Sequence, residues 1–165
     1  LNVKSKVKIT ISDEKDFLLD TGGGVKEGTK IFGENPFFVL NPDTLWLNDY
    51  LDEMKSLEKI YFKSKKPCLL LVNKNLSFDT SFKGDFNLEN NIVSKDTNNN
   101  FIFTGLQLLD RNYLDPIDKK IFSMNEVWNN LINNNKLFGL ESRQKFYHIN
   151  TEEMYSKISN LDFID

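Results

Sequence analysis

The sequence predicts a single α/β domain, residues 1–165, whose sheet is mainly parallel at first and mixed towards the carboxyl end. A chain of 165 residues is long enough for one compact domain of this class. Residues 37–40 and 68–72 are uninterrupted apolar runs, which are typical of strands buried on both faces. Between them, apolar residues recur at helical spacing, namely Leu47, Leu51, Met54 and Leu57. This alternation predicts helices over a sheet, with ligands in the crevice beyond the carboxyl ends of the strands.

The amino-terminal part predicts a strand, a glycine loop and a short helix. The strand is expected near the start, where Val3, Val7, Ile9 and Ile11 alternate with polar residues. Leucines at 18 and 19 then lead into an acidic residue, a threonine and three glycines. Residues 25–32 predict a helix that ends at Gly33, because glycine suits the position after a helix.

The carboxyl-terminal half predicts further strands and two more helices. The strands are expected at residues 86–88, 92–94, 101–109, 136–140 and 145–149, with a hairpin tip at residues 95–100. The helices are expected at residues 125–133 and after Thr151, which can cap the last helix.

Composition argues against several classes of partner. The net charge is −3 and the isoelectric point is about 5.3, so no broad positive field attracts nucleic acid. The longest apolar run, residues 68–72, is far shorter than the roughly 20 residues of a membrane-spanning helix. The chain has one cysteine and no recognisable signal-peptide pattern. We therefore expect a cytoplasmic protein that binds neither nucleic acid nor a membrane.

The glycine cluster has two interpretations. Gly22, Gly23, Gly24 and Gly28 could form a phosphate loop, because glycines let backbone N–H groups approach an anion at the start of a helix. The spacing matches neither the dinucleotide fingerprint nor a P-loop. A phosphate loop and a tight turn therefore both stay open.

Asp43 is the first candidate metal ligand. It follows a buried strand and the Asn41-Pro42 pair, and its carboxylate could hold a hard divalent cation. The alternative is a helix N-cap for the chain from Leu45 onward. Asp85, which follows Gly84, has the same ambiguity in a weaker context.

His148 is the only histidine, so a serine or cysteine triad would have to use it. The sequence has no G-x-S-x-G elbow, and Cys68 lies inside an apolar run. Zinc is also unsupported, because one histidine and one cysteine do not make a protein zinc site without carboxylates. A structural histidine, or one that supports a metal ligand, is favoured.

Seven segments resemble the successive motifs of bacterial sugar-1-phosphate nucleotidyltransferases. The first three are S-D-E, L-L-D-T-G-G-G and P-F-F-V-L-N-P-D, at residues 12–14, 18–24 and 36–43. The others are residues 83–86, 103–107, 122–125 with Trp128, and 147–153. The similarity is greatest to the mannose-1-phosphate guanylyltransferase-like or N-acetylmuramate-1-phosphate uridylyltransferase-like branch, and it covers almost the whole chain.

This resemblance implies a Rossmann-like α/β fold, with a mixed sheet sandwiched by helices. It implies a reaction that joins a sugar 1-phosphate to a nucleoside triphosphate and releases pyrophosphate, with Mg²⁺ as cofactor. Asp43 would be the catalytic metal ligand, and His148 stands where many relatives place a second, acidic ligand. The implied nucleotide-binding residues are Glu14, Thr21, Gly22, Gly23 and Asn41, and the implied sugar-binding residues are Gly84, Asp85, Thr104 and Gly105.

The resemblance begins inside the family pattern. Family members start with a strand, a G-x-G-T-R-M-type loop and a Pro-Lys-Pro segment that cradle the triphosphate, and residues 1–165 contain none of these. We therefore expect an amino-terminally incomplete fold that is inactive without a separate amino-terminal fragment. The alternatives are a noncatalytic remnant that still binds a nucleotide or sugar phosphate, and an interaction module in which Asp43 is only a cap.

Overall fold

The computed structural model describes residues 8–15 and 17–161. The strands are β1 (Phe37–Leu40), β2 (Cys68–Asn73), β3 (Asn87–Glu89), β4 (Ile92–Ser94), β5 (Phe101–Leu109) and β6 (Phe138–Ser142). The helices are α1 (Asp20–Gly28), α2 (Tyr50–Ser64), α3 (Met124–Asn133) and α4 (Glu152–Ser159).

The six strands form one mixed sheet in the order β1-β5-β2-β6-β4-β3. β5 is antiparallel to both β1 and β2, and β2 is parallel to β6. The predicted mixed sheet with covering helices is confirmed. β1 and β2 run in the same direction, as expected, but they are not paired with each other, because β5 returns from later in the chain and lies antiparallel between them.

The core has two layers, one on each face of the sheet. Successive side chains of a strand point to opposite faces, so β5 contributes to both layers. One layer packs under α1 and α3 and includes Phe37, Leu69, Leu71, Leu109 and Trp128. The other packs under α2 and includes Tyr50, Leu57, Leu70, Leu106 and Leu108. The architecture is therefore a sheet between helical layers.

Residues 95–100 do not form the predicted hairpin tip. They connect β4 to β5, which are not neighbours in the sheet. The hairpin joins β3 to β4 instead, and its turn residues Asn90 and Asn91 have φ angles of 50° and 64°. Two positive φ angles are the pattern of a type I′ turn, which asparagine tolerates. The Asn87 side chain donates to Asp96 and to the Asn98 carbonyl, which holds residues 95–100 against β3.

The two ends of the chain also differ from expectation. Val3 and Val7 of the predicted opening strand lie outside the described residues, whereas Ile9 and Ile11 lie in irregular, exposed chain. Residues 145–149 make isolated bridges and not a strand. The predicted cap of the last helix is confirmed, because Met154 N–H donates to Thr151 Oγ1 at 3.1 Å. Among the described residues, no helix has the length and apolar character needed to cross a membrane.

Candidate functional site

Asp43 lies in irregular chain between β1 and α2. α2 begins at Tyr50, and the residue at its N-cap position is Asp49. The N-cap alternative for Asp43 is therefore wrong, because no helix starts at Leu45. Asp43 instead stands beyond the carboxyl end of β1, where ligands bind in open α/β sheets.

Backbone hydrogen bonds bring Asp43 to His148. Leu45 N–H donates to the Tyr147 carbonyl at 3.0 Å, and Ile149 N–H donates to the Asp43 carbonyl at 2.7 Å. These two bonds surround an antiparallel bridge between Thr44 and His148. As a result, His148 Nε2 lies 3.1 Å from Asp43 Oδ2, within ion-pair distance.

Each of these two side chains also has a buried polar atom without a partner. Asp43 Oδ1 and His148 Nδ1 are buried, and no described residue hydrogen-bonds either atom. The His148 ring is packed against Phe82 and Phe146, with ring centroids 5.5 and 5.9 Å away. Buried polar atoms in native proteins are nearly always satisfied, so an unpaired carboxylate oxygen at a strand end is a candidate ligand atom.

The donor set suits Mg²⁺ better than zinc. The described residues contain no group of three or more His, Cys, Asp or Glu that could hold a metal ion. Mg²⁺ needs only one or two protein carboxylates, because waters and substrate phosphates fill its other positions. Asp43 fits that requirement. Imidazole is a less typical Mg²⁺ ligand, so His148 fits better as a neighbour that orients the Asp43 carboxylate.

A cleft of about 660 Å³ opens between α1, α3 and the sheet. It brings together three of the predicted nucleotide-binding residues, Glu14, Thr21 and Asn41. The other residues that line it are Leu18, Asp20, Gly24, Val25, Val39, Phe103, Gln107, Ser123, Met124, Asn125 and Trp128. Asn41 is two positions before Asp43, so the cleft and the Asp43–His148 pair are adjacent along the chain.

The glycines do not form a loop. Gly22 and Gly23 lie inside α1, and both N–H groups donate to the Phe122 carbonyl, at 2.9 and 3.0 Å. A Cβ atom on Gly22 would lie 2.4 Å from the Phe122 ring, and one on Gly23 would lie 2.4 Å from the Lys120 carbonyl oxygen. Close packing of residues 120–122 against α1 therefore requires these glycines. Both predictions for this segment, a phosphate loop and a tight turn, are therefore wrong, because it forms a helix. Neither Gly22 nor Gly23 lines the cleft.

Thr21 and Glu14 accept hydrogen bonds from backbone N–H groups at the side of the cleft formed by α1 and α3. Thr21 Oγ1 accepts a hydrogen bond from Met124 N–H at 3.0 Å, which ties the starts of α1 and α3 together. Glu14 Oε2 accepts from Leu19 N–H at 2.9 Å. The Thr21 hydroxyl hydrogen has no acceptor among the described residues, so it is free to donate to a ligand.

Asn41 lies opposite Gly105 of β5. Asn41 N–H donates to the Gly105 carbonyl at 3.0 Å. Gly105 has a φ angle of 92°, and a Cβ atom there would lie 2.6 Å from Asn41 Cβ. A side chain at this position would strain the backbone and displace Asn41. Gly105 therefore fixes Asn41 at the cleft.

The other predicted sugar-side residues do not line the cleft. Asp85 Oδ2 accepts from Phe103 N–H at 2.9 Å, and Gly84 packs against the Asn99 carbonyl. Thr104 is 1% exposed, and its hydroxyl donates to the Leu70 carbonyl at 2.9 Å. The side chain of Thr104 therefore has no surface to offer a ligand.

The floor of the cleft is aromatic, which sequence reasoning missed. The Phe103 and Trp128 rings are 4.8 Å apart, and Trp128 Nε1–H donates to Gln107 Oε1 at 3.1 Å. Gln107 could have indicated this contact from the sequence, because a glutamine inside an apolar strand needs a buried hydrogen-bond partner. The only charged residues that line the cleft in the described chain are Glu14 and Asp20. The cleft therefore suits a neutral polar or aromatic group better than a phosphate.

Comparison with solved structures decides the fold. HddC from Yersinia pseudotuberculosis, solved in complex with GMP-PN, aligns over 86% of the chain with a TM-score of 0.62 and 20% identity. UDP-glucose pyrophosphorylase from Acinetobacter baumannii aligns over 87%, with a TM-score of 0.68 and 14% identity. The chain has the fold of the sugar-1-phosphate nucleotidyltransferases. The fold resemblance inferred from the motifs is confirmed.

The shared nucleotidyltransferase fold is only partly spanned by this chain. The alignments cover 62% of HddC and 56% of the pyrophosphorylase. In sequence, 40 residues are 48% identical to N-acetylmuramate alpha-1-phosphate uridylyltransferase from Caulobacter vibrioides, which is 24% of this chain and 16% of that protein. No protein-family model matches the chain.

Proposed function

We propose that this chain forms the larger part of a sugar-1-phosphate nucleotidyltransferase. The observation that carries the proposal is the contact between Asp43 and His148 beyond the end of β1, next to the cleft that contains Asn41. In the proposed reaction, a phosphate oxygen of the sugar 1-phosphate bonds to the α-phosphorus of a nucleoside triphosphate. The bond between the α- and β-phosphates breaks, and pyrophosphate leaves.

The proposed cofactor is Mg²⁺, held by Asp43. When bound, it neutralises phosphate charge and aligns the reacting groups. Asp43 presents the buried Oδ1 as a ligand atom, and His148 orients the carboxylate from 3.1 Å. A sugar phosphate is already an anionic nucleophile at neutral pH, so the reaction needs no general base. This is consistent with the described site, where the His148 ring packs against the Phe82 and Phe146 rings and its Nε2 faces the Asp43 carboxylate.

The cleft is the proposed binding site of the nucleoside. Glu14, Thr21 and Asn41 supply polar contacts to the nucleoside, above the floor formed by Phe103 and Trp128. Gly84, Asp85 and Gly105 do not line this cleft, and they are proposed to face the sugar outside it. The cytoplasm stays the predicted location.

A completing polypeptide segment is part of the proposal. A triphosphate carries several negative charges, and no lysine or arginine of the described residues lines the cleft. Charge stabilisation is usually the largest catalytic contribution, so the chain alone lacks a main requirement for transfer. The alignment covers 62% of HddC and leaves the other 38% uncovered (100% − 62%), and we propose that a segment outside the aligned part supplies the cations. The same observation supports the second candidate, a noncatalytic nucleotide-binding or sugar-phosphate-binding remnant.

Nucleotide binding separates these candidates from an interaction module. A thermal-shift panel would compare nucleoside mono- and triphosphates of each base, and sugar 1-phosphates, with Mg²⁺ and with a chelator. A ligand at 100 times its dissociation constant stabilises the folded state by about 2.7 kcal/mol. The proposal expects one base to be preferred and the triphosphate shift to depend on Mg²⁺. No shift with any nucleotide or sugar phosphate would reject both binding functions.

A further inference from the structure

The side-chain amide of Gln107 has a fixed orientation beside the aromatic floor of the cleft. Gln107 lies in β5 and is 4% exposed. Its Oε1 accepts the hydrogen bond from Trp128 Nε1–H at 3.1 Å. An indole nitrogen only donates, so the amide cannot turn over without leaving this N–H group unpaired in the interior. Trp128 therefore fixes which atom of the amide is available to a ligand.

The atom that stays available is the amide nitrogen of Gln107. No described residue accepts a hydrogen bond from Nε2, because the amide's one hydrogen bond there is the bond that Oε1 accepts. In the described chain, the only fully buried side-chain polar atoms without a partner are Asp43 Oδ1 and His148 Nδ1, so Nε2 keeps some accessible surface. Gln107 lines the cleft, and a ligand in the cleft can therefore reach this nitrogen.

The charged side chains of the cleft are acceptors, in contrast to Gln107 Nε2. Glu14 and Asp20 are carboxylates, which accept hydrogen bonds and do not donate them when ionised. The Thr21 hydroxyl can donate, but it lies where the starts of α1 and α3 meet. Gln107 therefore places a buried donor in a different part of the cleft.

The aromatic floor places a flat ligand group next to this donor. The Phe103 ring is half-buried and lies 4.8 Å from the Trp128 ring. Phe103 and Gln107 both contact Trp128 and both line the cleft, so they lie side by side. An aromatic ring packed on Phe103 would have its edge close to Gln107 Nε2.

We infer that Gln107 selects a ligand group with a carbonyl oxygen, and that Trp128 is the residue that positions Gln107. A carbonyl oxygen accepts the hydrogen bond from Nε2. An amino group in the same place would put two donors face to face and leave both unpaired. The inference deepens the proposed function and rests on it, because the aromatic floor favours a nucleobase as the source of the carbonyl. An acylated amino group on the sugar has the same chemistry.

Matched ligand pairs test the selection by calorimetry. Inosine is compared with adenosine, and uridine with cytidine, because each pair differs mainly by an oxo group in place of an amino group. We expect the oxo member to bind about tenfold more tightly, as for one buried hydrogen bond lost together with an unpaired donor. N-acetylglucosamine 1-phosphate and glucose 1-phosphate form the third pair. A preference confined to that pair would assign the carbonyl to the sugar.

Two variants test the residues. Gln107→Glu keeps the oxygen that faces Trp128 but replaces the donor with an acceptor, so we expect the preference to reverse towards the amino member. Trp128→Phe removes the N–H group that fixes the amide, so the preference should fall to near unity. Gln144→Glu makes the same chemical change outside the cleft and should leave the preference unchanged. Circular dichroism would check that all three variants fold.

A measurement on the unmodified chain does not depend on the stability of any variant. Nuclear magnetic resonance would follow the side-chain amide protons of Gln107 and the indole proton of Trp128 during titration with each nucleoside. We expect the oxo nucleosides to shift the Gln107 protons, because these protons form the new hydrogen bond. The exchange of the Trp128 indole proton with solvent should stay slow throughout, because that proton remains bonded to Oε1.

Several results would overturn the inference. These are equal affinity within all three pairs, no binding of any of these ligands, an unchanged preference in folded Gln107→Glu, or Gln107 protons that do not respond to a bound ligand. The proposed reaction is judged separately, with the chain coexpressed with the amino-terminal part of a relative. Transfer whose preference is unaffected by Gln107→Glu would keep the reaction and reject the role of Gln107. A preference that depends on Gln107 without any transfer would do the reverse.

Discussion

Asp43 Oδ2 and His148 Nε2 lie 3.1 Å apart because backbone hydrogen bonds on both sides of Thr44 join two distant segments of the chain. The Thr44 hydroxyl also donates to the Thr104 carbonyl at 2.7 Å, which anchors this junction to β5. Backbone hydrogen bonds therefore bring the two side chains together, independently of the contact between their own atoms. Changes to either side chain should alter ligand binding more than folding.

Asp43→Asn tests the metal ligand. The amide keeps the size of the side chain but loses its charge, so we expect Mg²⁺-dependent nucleotide binding and reconstituted transfer to disappear. The free energy of unfolding should change by only about 1 kcal/mol. Asp49→Asn is the control, because Asp49 is exposed and makes no capping hydrogen bond. Equal binding by wild type and Asp43→Asn, measured by calorimetry with and without Mg²⁺, would remove Asp43 from the mechanism.

His148→Leu tests the positioning role of the imidazole. Leucine can pack against Phe82 and Phe146 in place of the imidazole but offers no nitrogen to Asp43. We expect the Mg²⁺ concentration for half-maximal nucleotide binding to rise by about tenfold to a hundredfold, as for the loss of a group that orients a metal ligand. Binding measured without Mg²⁺ should not change. If the Mg²⁺ dependence of the folded variant equals that of wild type, His148 is purely structural.

Gly23→Ala should destabilise the protein by about 1 to 3 kcal/mol, because the new methyl group would lie 2.4 Å from the Lys120 carbonyl oxygen. Gly28→Ala in the same helix is the matched control. Its methyl group would meet Ser12 at an ordinary 3.6 Å, so we expect stabilisation of about 0.4 to 1 kcal/mol. Urea unfolding measures both. Equal effects of the two substitutions would contradict the close packing of residues 120–122 on α1.

Tyr61→Phe tests a buried hydrogen bond and its dependence on pH. The Tyr61 hydroxyl donates to Asp110, whose carboxylate is in the interior, so its loss should cost about 1 to 3 kcal/mol at neutral pH. Burial, and then the hydrogen bond to Asp110, raise the pKa of Tyr61 above its usual 10.0.

The sign of the pH effect follows from that direction. Above about pH 10 the unfolded chain loses the phenol proton while the folded protein keeps it, so stability falls as pH rises. Below pH 10 the contribution of Tyr61 is fully present. Tyr61→Phe should flatten this alkaline decline in urea titrations, whereas Tyr155→Phe, at a residue 59% exposed on α4, should leave it unchanged. An unchanged alkaline slope in Tyr61→Phe would show that Tyr61 ionises as readily in the folded protein.

The chain alone should release no measurable pyrophosphate from any nucleoside triphosphate and sugar 1-phosphate, even with ample Mg²⁺. Loss of a single preorganised donor can reduce a rate by roughly a hundredfold to a thousandfold, and this cleft has no lysine or arginine among its described lining residues. Coexpression with the amino-terminal part of a relative should raise both solubility and activity. Turnover by the purified chain that scales with its concentration and disappears in Asp43→Asn would show that triphosphate binds elsewhere.

Local patterns predicted most of the secondary structure near the site. The run at residues 37–40 became β1, residues 101–109 became β5, and Thr151 caps the last helix. These features depend on nearest neighbours along the chain, which a sequence displays directly. The glycine segment was misassigned because a nine-residue helix with four glycines is locally unfavourable. Its stabilising contacts with Lys120 and Phe122 come from far along the chain.

The sequence by itself determined the α/β class, the order of its motifs and the identity of Asp43 and His148 as candidate ligands. Only the tertiary structure decided that these two side chains meet, that β5 lies between β1 and β2, and that Phe103 and Trp128 form the cleft floor. The physical reason is that strand pairing and side-chain packing join residues that are distant in sequence. The local propensity of a segment does not determine its pairing partner, because pairing depends on which distant segment buries the apolar surface of each strand.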